Sequence, residues 1–300
     1  MAHKRRAKDR QNRPVASARK RIRSSSGVWV VAALAIAIVG GVWILRSGPT
    51  SQISARPSAL RAEALLGSQP EVRSLRVDVL RELSHERDAY TQGLVWWNDQ
   101  LFESTGREGE STLRQLDPQT GQVERRIDVP DQYFGEGLAL VDRRLIMLTW
   151  RAERAFIYDR DSFELGETFR YRGEGWGLCY DGDRLVMSDG SDRLAFRDPD
   201  TFEPVGEQRV RLRGQPLRNL NELECVDGMV YANVWEEDFL VRIDPRTGWV
   251  TDYIDAAGLL QGVDRVGAEV LNGIAYDQTA ETFYITGKWW PKMFEVRFVE

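Results

Sequence analysis

Glu136 stands in the stretch YFGEGLAL, a carboxylate between Gly135 and Gly137 at the head of an apolar run of strand character. Loss of water raises a carboxylate's pKa toward neutrality, the range in which one group can both take and give a proton. Asn221, in LNELEC, and Lys288, in TGKWW, are of types that steady a developing oxyanion through an amide or an ammonium. A nearby Lys288 would pull the Glu136 pKa down again, and the sequence leaves open which influence is larger. Trp150, Trp176 and Trp235 supply indole walls that exclude water, and Gln92 with its neighbour Tyr90 adds an amide and a phenol. These types together suit proton transfer on a small polar group held in an aromatic pocket.

Residues so far apart in the chain need a scaffold that gathers them, and the sequence repeats itself to that end. TQGLVW, GEGLAL, GWGLCY, LNELEC and LNGIAY align on their third residues, Gly93, Gly137, Gly177, Glu222 and Gly273, at spacings of 44, 40, 45 and 51. Each is followed by a turn, a second strand, a third strand and, in the first four, an Asp-containing turn such as DPQTG or DPRTG leading to a fourth. Four short strands every 40–50 residues is the pattern of propeller blades. The expectation is an all-β, five-bladed β-propeller over 76–300, with RVDVLREL (Arg76–Leu83) supplying the outer strand that the fifth repeat lacks.

In such a ring the first strands line the axis and their starts open on one mouth. The residue before each repeated position is Gln92, Glu136, Trp176, Asn221 or Asn272. The end of the antiparallel second strand contributes Gly106, Trp150, Gly190, Trp235 or Lys288 to the same mouth. Each residue also has a plainer reading. Glu136 and Lys288 could be an ion pair pinning two blades, the tryptophans inter-blade packing, and Asn221 and Asn272 caps for strand-end backbone.

The charge is uneven. The first 27 residues hold ten Lys/Arg and one acid, whereas the whole chain carries −5, so the remainder is near −14. A body so acidic argues against a nucleic-acid partner. VWVVAALAIAIVGGVWIL, 28–45, is eighteen uncharged residues, about 27 Å as a helix, enough to cross a bilayer. The expectation is a basic cytoplasmic tail at 1–27, a transmembrane signal-anchor helix at 28–45, a linker at 46–75, and the catalytic body on the periplasmic side. The alternative is a cleaved signal peptide and a secreted body. Cys179 and Cys225 are read as two small core residues, with a single bridge left open, and His85 as a structural hydrogen-bonding residue.

HERDAYTQGL, YFGEGLAL, GWGLCYDG, LNELEC, ANVW and GKWWPKMFEV together resemble the plant-type glutaminyl cyclases, also found in bacteria. The resemblance runs from about residue 76 to the C-terminus. It implies a metal-free and cofactor-free acyltransferase, a glutaminyl-peptide cyclotransferase that converts N-terminal glutamine to pyroglutamate with release of ammonia. It also implies Glu136, Asn221 and Lys288 as catalytic residues, with Glu136 as general acid/base. Tyr90, Gln92, Phe134, Trp150, Trp176 and Trp235 match the family's pocket. Tyr90 departs from the family's usual phenylalanine, and HERD from its His-Asp-Pro. Peptides and proteins beginning with glutamine are the implied partners, the anchor adds the membrane, and a monomer is expected. Two other readings stay open: a propeller lactonase with Glu136, Asn221 and Asn272 around calcium, and a non-catalytic propeller that grips chain termini.

Overall fold

The computed structural model describes residues 71–300. β1 (Arg73–Ser84) comes first. β2 (Thr91–Trp97), β3 (Gln100–Thr105), β4 (Thr112–Leu116) and β5 (Val123–Asp128) form a four-stranded antiparallel sheet. β6 (Gly135–Val141), β7 (Arg144–Thr149), β8 (Arg154–Asp159) and β9 (Leu165–Arg170) form a second. The third comprises β10 (Leu178–Tyr180), β11 (Leu185–Met187), β12 (Arg193–Arg197) and β13 (Pro204–Arg209). A two-stranded ribbon, β14 (Arg211–Leu212) and β15 (Gln215–Pro216), follows. After it come β16 (Leu220–Val226), β17 (Met229–Val234), β18 (Phe239–Ile243), β19 (Val250–Asp255), β20 (Leu271–Asp277), β21 (Thr282–Gly287) and β22 (Lys292–Val299).

The first strand of each repeat is buried along most of its length, whereas the fourth strands β5, β9 and β13 are exposed over half or more of theirs, as their sequences require. LNGIAY has apolar residues on both faces, whereas VERRID, LGETFR and PVGEQR end their sheets in charged residues that discourage further pairing. The turns between third and fourth strands are fixed by their aspartates. Oδ1 of Asp117, Asp159, Asp198 and Asp244 each accepts the backbone N–H two residues on. The apolar core is divided into clusters that lie between neighbouring sheets, such as Leu138, Leu145, Phe102 and Phe163 between the first and second. The first strands follow one another in a cycle of contacts: β2 with β6, β6 with β10, β10 with β16, β16 with β20, and β20 with β2.

The expectation of five separate blades behind an anchor helix is corrected. β1 pairs antiparallel with β22, from Arg76 opposite Val299 to Ser84 opposite Lys292, which gives the fifth repeat its outer strand. Over Arg73–Arg76, however, β1 also pairs in parallel with Asp252–Asp255 of β19. That second pairing fuses two groups into one eight-stranded sheet, β16-β17-β18-β19-β1-β22-β21-β20, whose end strands touch and nearly close it on itself. The sequence pattern places β1 on one neighbour but carries no sign of the other.

The anchor expected at 28–45, with the tail before it and most of the linker after it, lies outside the described residues. Among the described residues no helix is long and apolar enough to cross a membrane, and the helical element there is the 3-10 turn Gly262–Arg265. The expectation of a membrane-held body on the periplasmic side, with the membrane as a partner, is corrected to that extent: among the described residues no helix crosses a membrane. Cys179 of β10 and Cys225 of β16 are also corrected: they are joined in a disulfide across adjacent first strands, with Cα atoms 5.5 Å apart.

Candidate active site

In four of the five repeats the first strand starts with a bulge. Register slips between Thr91 and Gly93, Gly135 and Leu138, Leu220 and Leu223, and Leu271 and Ile274. Each slip falls on the residue before the repeated position, and a bulge re-aims the side chain it carries. Gln92, Glu136 and Asn221 thereby face the axis. The same end is closed by one recurring bond, from the N–H of the residue just after the second strand to the carbonyl two residues before the bulged one. Gly106 bonds Tyr90 (2.8 Å), Trp150 bonds Phe134 (3.0 Å), Trp235 bonds Asn219 (2.8 Å) and Lys288 bonds Val270 (2.9 Å).

Backbone packs on backbone beneath this mouth. A methyl group on Gly137 would come within 2.6 Å of the Trp176 carbonyl oxygen, to which the Gly137 N–H donates at 2.7 Å. Glu222, the exception at the repeated position, sends a buried carboxylate across the axis. It accepts the N–H groups of Leu94 (3.2 Å) and Ile274 (2.9 Å) from two other first strands. Ser104 donates to the Glu136 carbonyl and Ser188 to the Asn221 carbonyl, both at 2.6 Å, so each sheet fixes the next one's site residue.

The mouth encloses a cavity of about 530 Å³. Glu136, Asn221 and Lys288 line it together with Tyr90, Gln92, Phe134, Trp150, Trp176 and Trp235, so the nine residues matched to the family's site border one space. Its aromatic walls are interlocked: Phe134 lies 5.5 Å from Trp150 between ring centres, and Trp176 meets Trp235 edge-on at 5.8 Å. Trp235 is the open side, 36% exposed.

Glu136 is 5% exposed and Lys288 is 5% exposed, yet no ion pair joins them and neither side chain has a hydrogen-bond partner among the described residues. The plainer reading of the two as a pinning salt bridge therefore fails. Burial pushes the Glu136 carboxyl well above its ordinary pKa; Lys288 offsets part of that shift and Glu174 adds to it. Burial pushes Lys288 down, against the pull of Glu136 and Glu269. The Lys288 ammonium sits 4.8 Å from the centre of the Tyr90 ring.

Asn272 does not line the cavity. Its Nδ2 donates to the Thr91 carbonyl (2.9 Å) and to Gln92 Oε1 (3.3 Å), which leaves the Gln92 amide nitrogen free to donate into the space. The calcium reading, which needs Asn272 beside Glu136 and Asn221, loses its third ligand. Among the described residues no group of three or more His, Cys, Asp or Glu side chains is placed to hold a metal.

Sequence reasoning missed four neighbours. Glu174 accepts both indole N–H groups, from Trp150 at 2.8 Å and Trp176 at 3.1 Å, and a bond from Arg151 at 2.8 Å. Burial works against its charge, but those three donors outweigh it and hold the carboxyl below its usual range. Arg151 also stacks on Trp150, 3.7 Å from the ring centre. Glu269 accepts the Tyr90 hydroxyl at 2.9 Å, and Trp289 packs on the Tyr90 ring at 4.9 Å. Trp289 holds a left-handed φ of 59°, a strained conformation of the kind found at sites. Glu174 sits in a loop outside the repeat register, so no spacing pointed to it.

Below the mouth, His85 is sealed in with Glu103 at 2.9 Å, and its other ring nitrogen faces the Trp290 carbonyl at 2.8 Å. That is the structural role expected of it. Both ring nitrogens face acceptors, so both carry protons, and Glu103 raises the His85 pKa against the effect of burial.

Comparison with known proteins adds three findings. A family model described as glutamine cyclotransferase matches residues 51–298. A glutaminyl-peptide cyclotransferase of Arabidopsis thaliana is 40% identical over 227 residues, 74% of this chain and 71% of the relative. The crystal structure of Myxococcus xanthus glutaminyl cyclase superposes with a TM-score of 0.70 at 42% identity, covering 76% of this chain and 99% of that one.

Proposed function

The chain belongs to the glutamine cyclotransferase family, and we infer from that membership that it is a glutaminyl-peptide cyclotransferase, an acyltransferase that closes an N-terminal glutamine into pyroglutamate and releases ammonia. We propose that Glu136 moves the protons of this reaction. The observation that carries the proposal is a buried carboxylate with raised pKa and no ion pair, facing an aromatic cavity.

The substrate's α-nitrogen must bond to its own γ-amide carbon while the carbon–nitrogen bond to the side-chain amide breaks. Both groups share one molecule, so a cavity that holds the side chain curled toward the amine supplies the proximity. The Trp150, Trp176 and Phe134 walls are shaped for that and keep water away. The α-ammonium, ordinarily titrating at about 7.7–8, gives a proton to Glu136 before attack. The amide oxygen then carries negative charge, met by the Lys288 ammonium and by the amide N–H groups of Asn221 and Gln92. Glu136 passes that proton to the departing nitrogen, takes the second proton from the attacking nitrogen as the lactam forms, and gives it to the released ammonia, which leaves as ammonium and restores the carboxylate. Protons and charge balance without any further reactant.

Incubation with a short glutamine-initiated peptide tests the reading. Stoichiometric ammonia and a product lighter by that ammonia are expected. Tight binding of the peptide without ammonia would instead favour a module that grips chain termini.

A further inference from the structure

A second cavity, of about 610 Å³, lies between the second and third sheets. Arg154, Arg170, Arg172 and Arg197 line it, with the rings of Tyr171 and Phe202. Many arginines elsewhere are matched to acids, such as Arg144 to Asp200, Arg151 to Glu174 and Arg209 to Asp192, although scattered ones such as Arg125 and Arg211 are not. Here none of the four guanidinium groups makes an ion pair among the described residues. Arg197 is half-buried; its guanidinium donates to the Met187 sulfur and the Phe202 carbonyl, each at 3.1 Å, and lies over the Phe202 and Tyr171 rings at 4.9 and 5.5 Å, with no carboxylate paired to it among the described residues. An arginine that has lost water without gaining a carboxylate favours an incoming anion. Two acids border the cleft, and one of them, Glu153, already accepts the Gly173 N–H at 2.9 Å; the other is Glu203.

This cleft and the catalytic cavity share a wall. Arg151 and Glu174 face the catalytic side, while Ala152 and Arg172 face the cleft. The wall is bonded across its thickness, from Gly175 N–H to the Trp150 carbonyl (3.0 Å) and from Tyr171 N–H to the Glu153 carbonyl (3.2 Å). A peptide seated by its first residue must leave over the rim. At roughly 3.3 Å per extended residue, a few residues carry it past the wall. A cationic cleft there stands out on a body whose net charge is acidic.

We propose that this cleft is a subsite for an acidic stretch of the substrate chain, a few residues beyond the N-terminal glutamine, with carboxylates pairing to Arg154, Arg170 and Arg172. The proposal rests on the cyclotransferase reading and adds a substrate preference to it.

Three peptides test it, each beginning Gln-Gly-Gly and continuing with aspartates, serines or lysines. At low salt, kcat/KM for the aspartate tail is expected to exceed that for the serine tail by roughly tenfold, through KM, with the lysine tail poorest. High salt should erase the difference. The exposed double variant Arg170→Ser/Arg172→Ser should lose the advantage while turning over the serine tail unchanged. Equal turnover of aspartate and serine tails by the parent, or an advantage that survives in the variant, overturns the subsite. Acetylated tetra-aspartate separates the two sources of such an anion: if it binds through the arginines while aspartate tails gain nothing, the cleft takes a free polyanion and the proposal is wrong. Fluorescence anisotropy of the labelled tails reads the cleft without turnover. Failure of all three peptides to release ammonia would therefore count against the cyclotransferase reading, while arginine-dependent preference in binding would support the subsite and equal binding would sink it.

Discussion

Glu136 and Lys288 face one cavity from the second and fifth repeats and leave each other unpaired. Burial drives the acid up and the base down, so both are brought toward neutrality and neither is locked by the other. Glu136→Gln keeps the shape and removes the proposed proton carrier. Turnover of a glutamine-initiated peptide should fall by about 10²–10⁴, with an unchanged melting curve. Near-parental turnover in a folded variant would refute the role.

In the proposed role Glu136 must be unprotonated to accept the α-ammonium proton, so kcat/KM should fall as pH drops through its raised pKa. Lys288 holds that pKa down and Glu174 pushes it up. Lys288→Met should therefore move the acidic limb to higher pH, and Glu174→Gln should move it lower. A pH–rate series on the three proteins checks both directions, and limbs that coincide would show that Glu136 is not the group titrating.

Glu174→Ala has a second consequence. It removes the acceptor shared by the Trp150 and Trp176 indoles and frees Arg151. The walls lose their fixed orientation, and KM should rise several-fold, on the scale of one or two charge-assisted hydrogen bonds. A KM unchanged within error would mean that packing alone orients the rings.

Glu224, a half-buried residue near the axis, has its pKa pushed up by burial to about 8, with the Tyr276 N–H opposing. An unfolded glutamate titrates near 4.3, so folding disfavours its charge. The protein should lose stability as pH rises from about 4.3 to about 8 and level off beyond. Buried Glu222, raised by the same cause and by Glu224 itself, adds to the trend. Glu224→Gln keeps an acceptor for Tyr276 and should raise the melting temperature at pH 8.5 but not at pH 4. Equal gains at both would assign the effect to packing.

The Cys179–Cys225 bridge joins first strands of adjacent sheets across 46 residues. The double variant to alanine should lose about 2–4 kcal/mol by denaturant unfolding. Unchanged stability would show that the strand contacts alone hold the pair.

The repeat made much of the site legible. Gln92, Glu136, Trp176 and Asn221 could be placed because one offset from the repeated position carried the same meaning in each sheet, and Trp150, Trp235 and Lys288 followed from antiparallel pairing. Asn272 fulfilled that rule in sequence yet turned to bond Thr91 and Gln92, a choice made by local hydrogen bonding. Glu174 and Glu269 lie in loops, where no period operates. The parallel join of β1 to β19 and the disulfide depend on which strands come close in space, which spacing along the chain does not encode. The segment 28–45 bears on none of this, since it lies outside the described residues.

The pairing of Arg76–Ser84 with Lys292–Val299 also sets a schedule for biosynthesis. β1 leaves the ribosome more than two hundred residues before its partner exists, so through most of translation it has an unsatisfied edge. Lys288 is made just ahead of β22. The site and the latch that holds it are therefore completed together, and a nascent chain acquires the means of catalysis only in the final moments before the ring can shut.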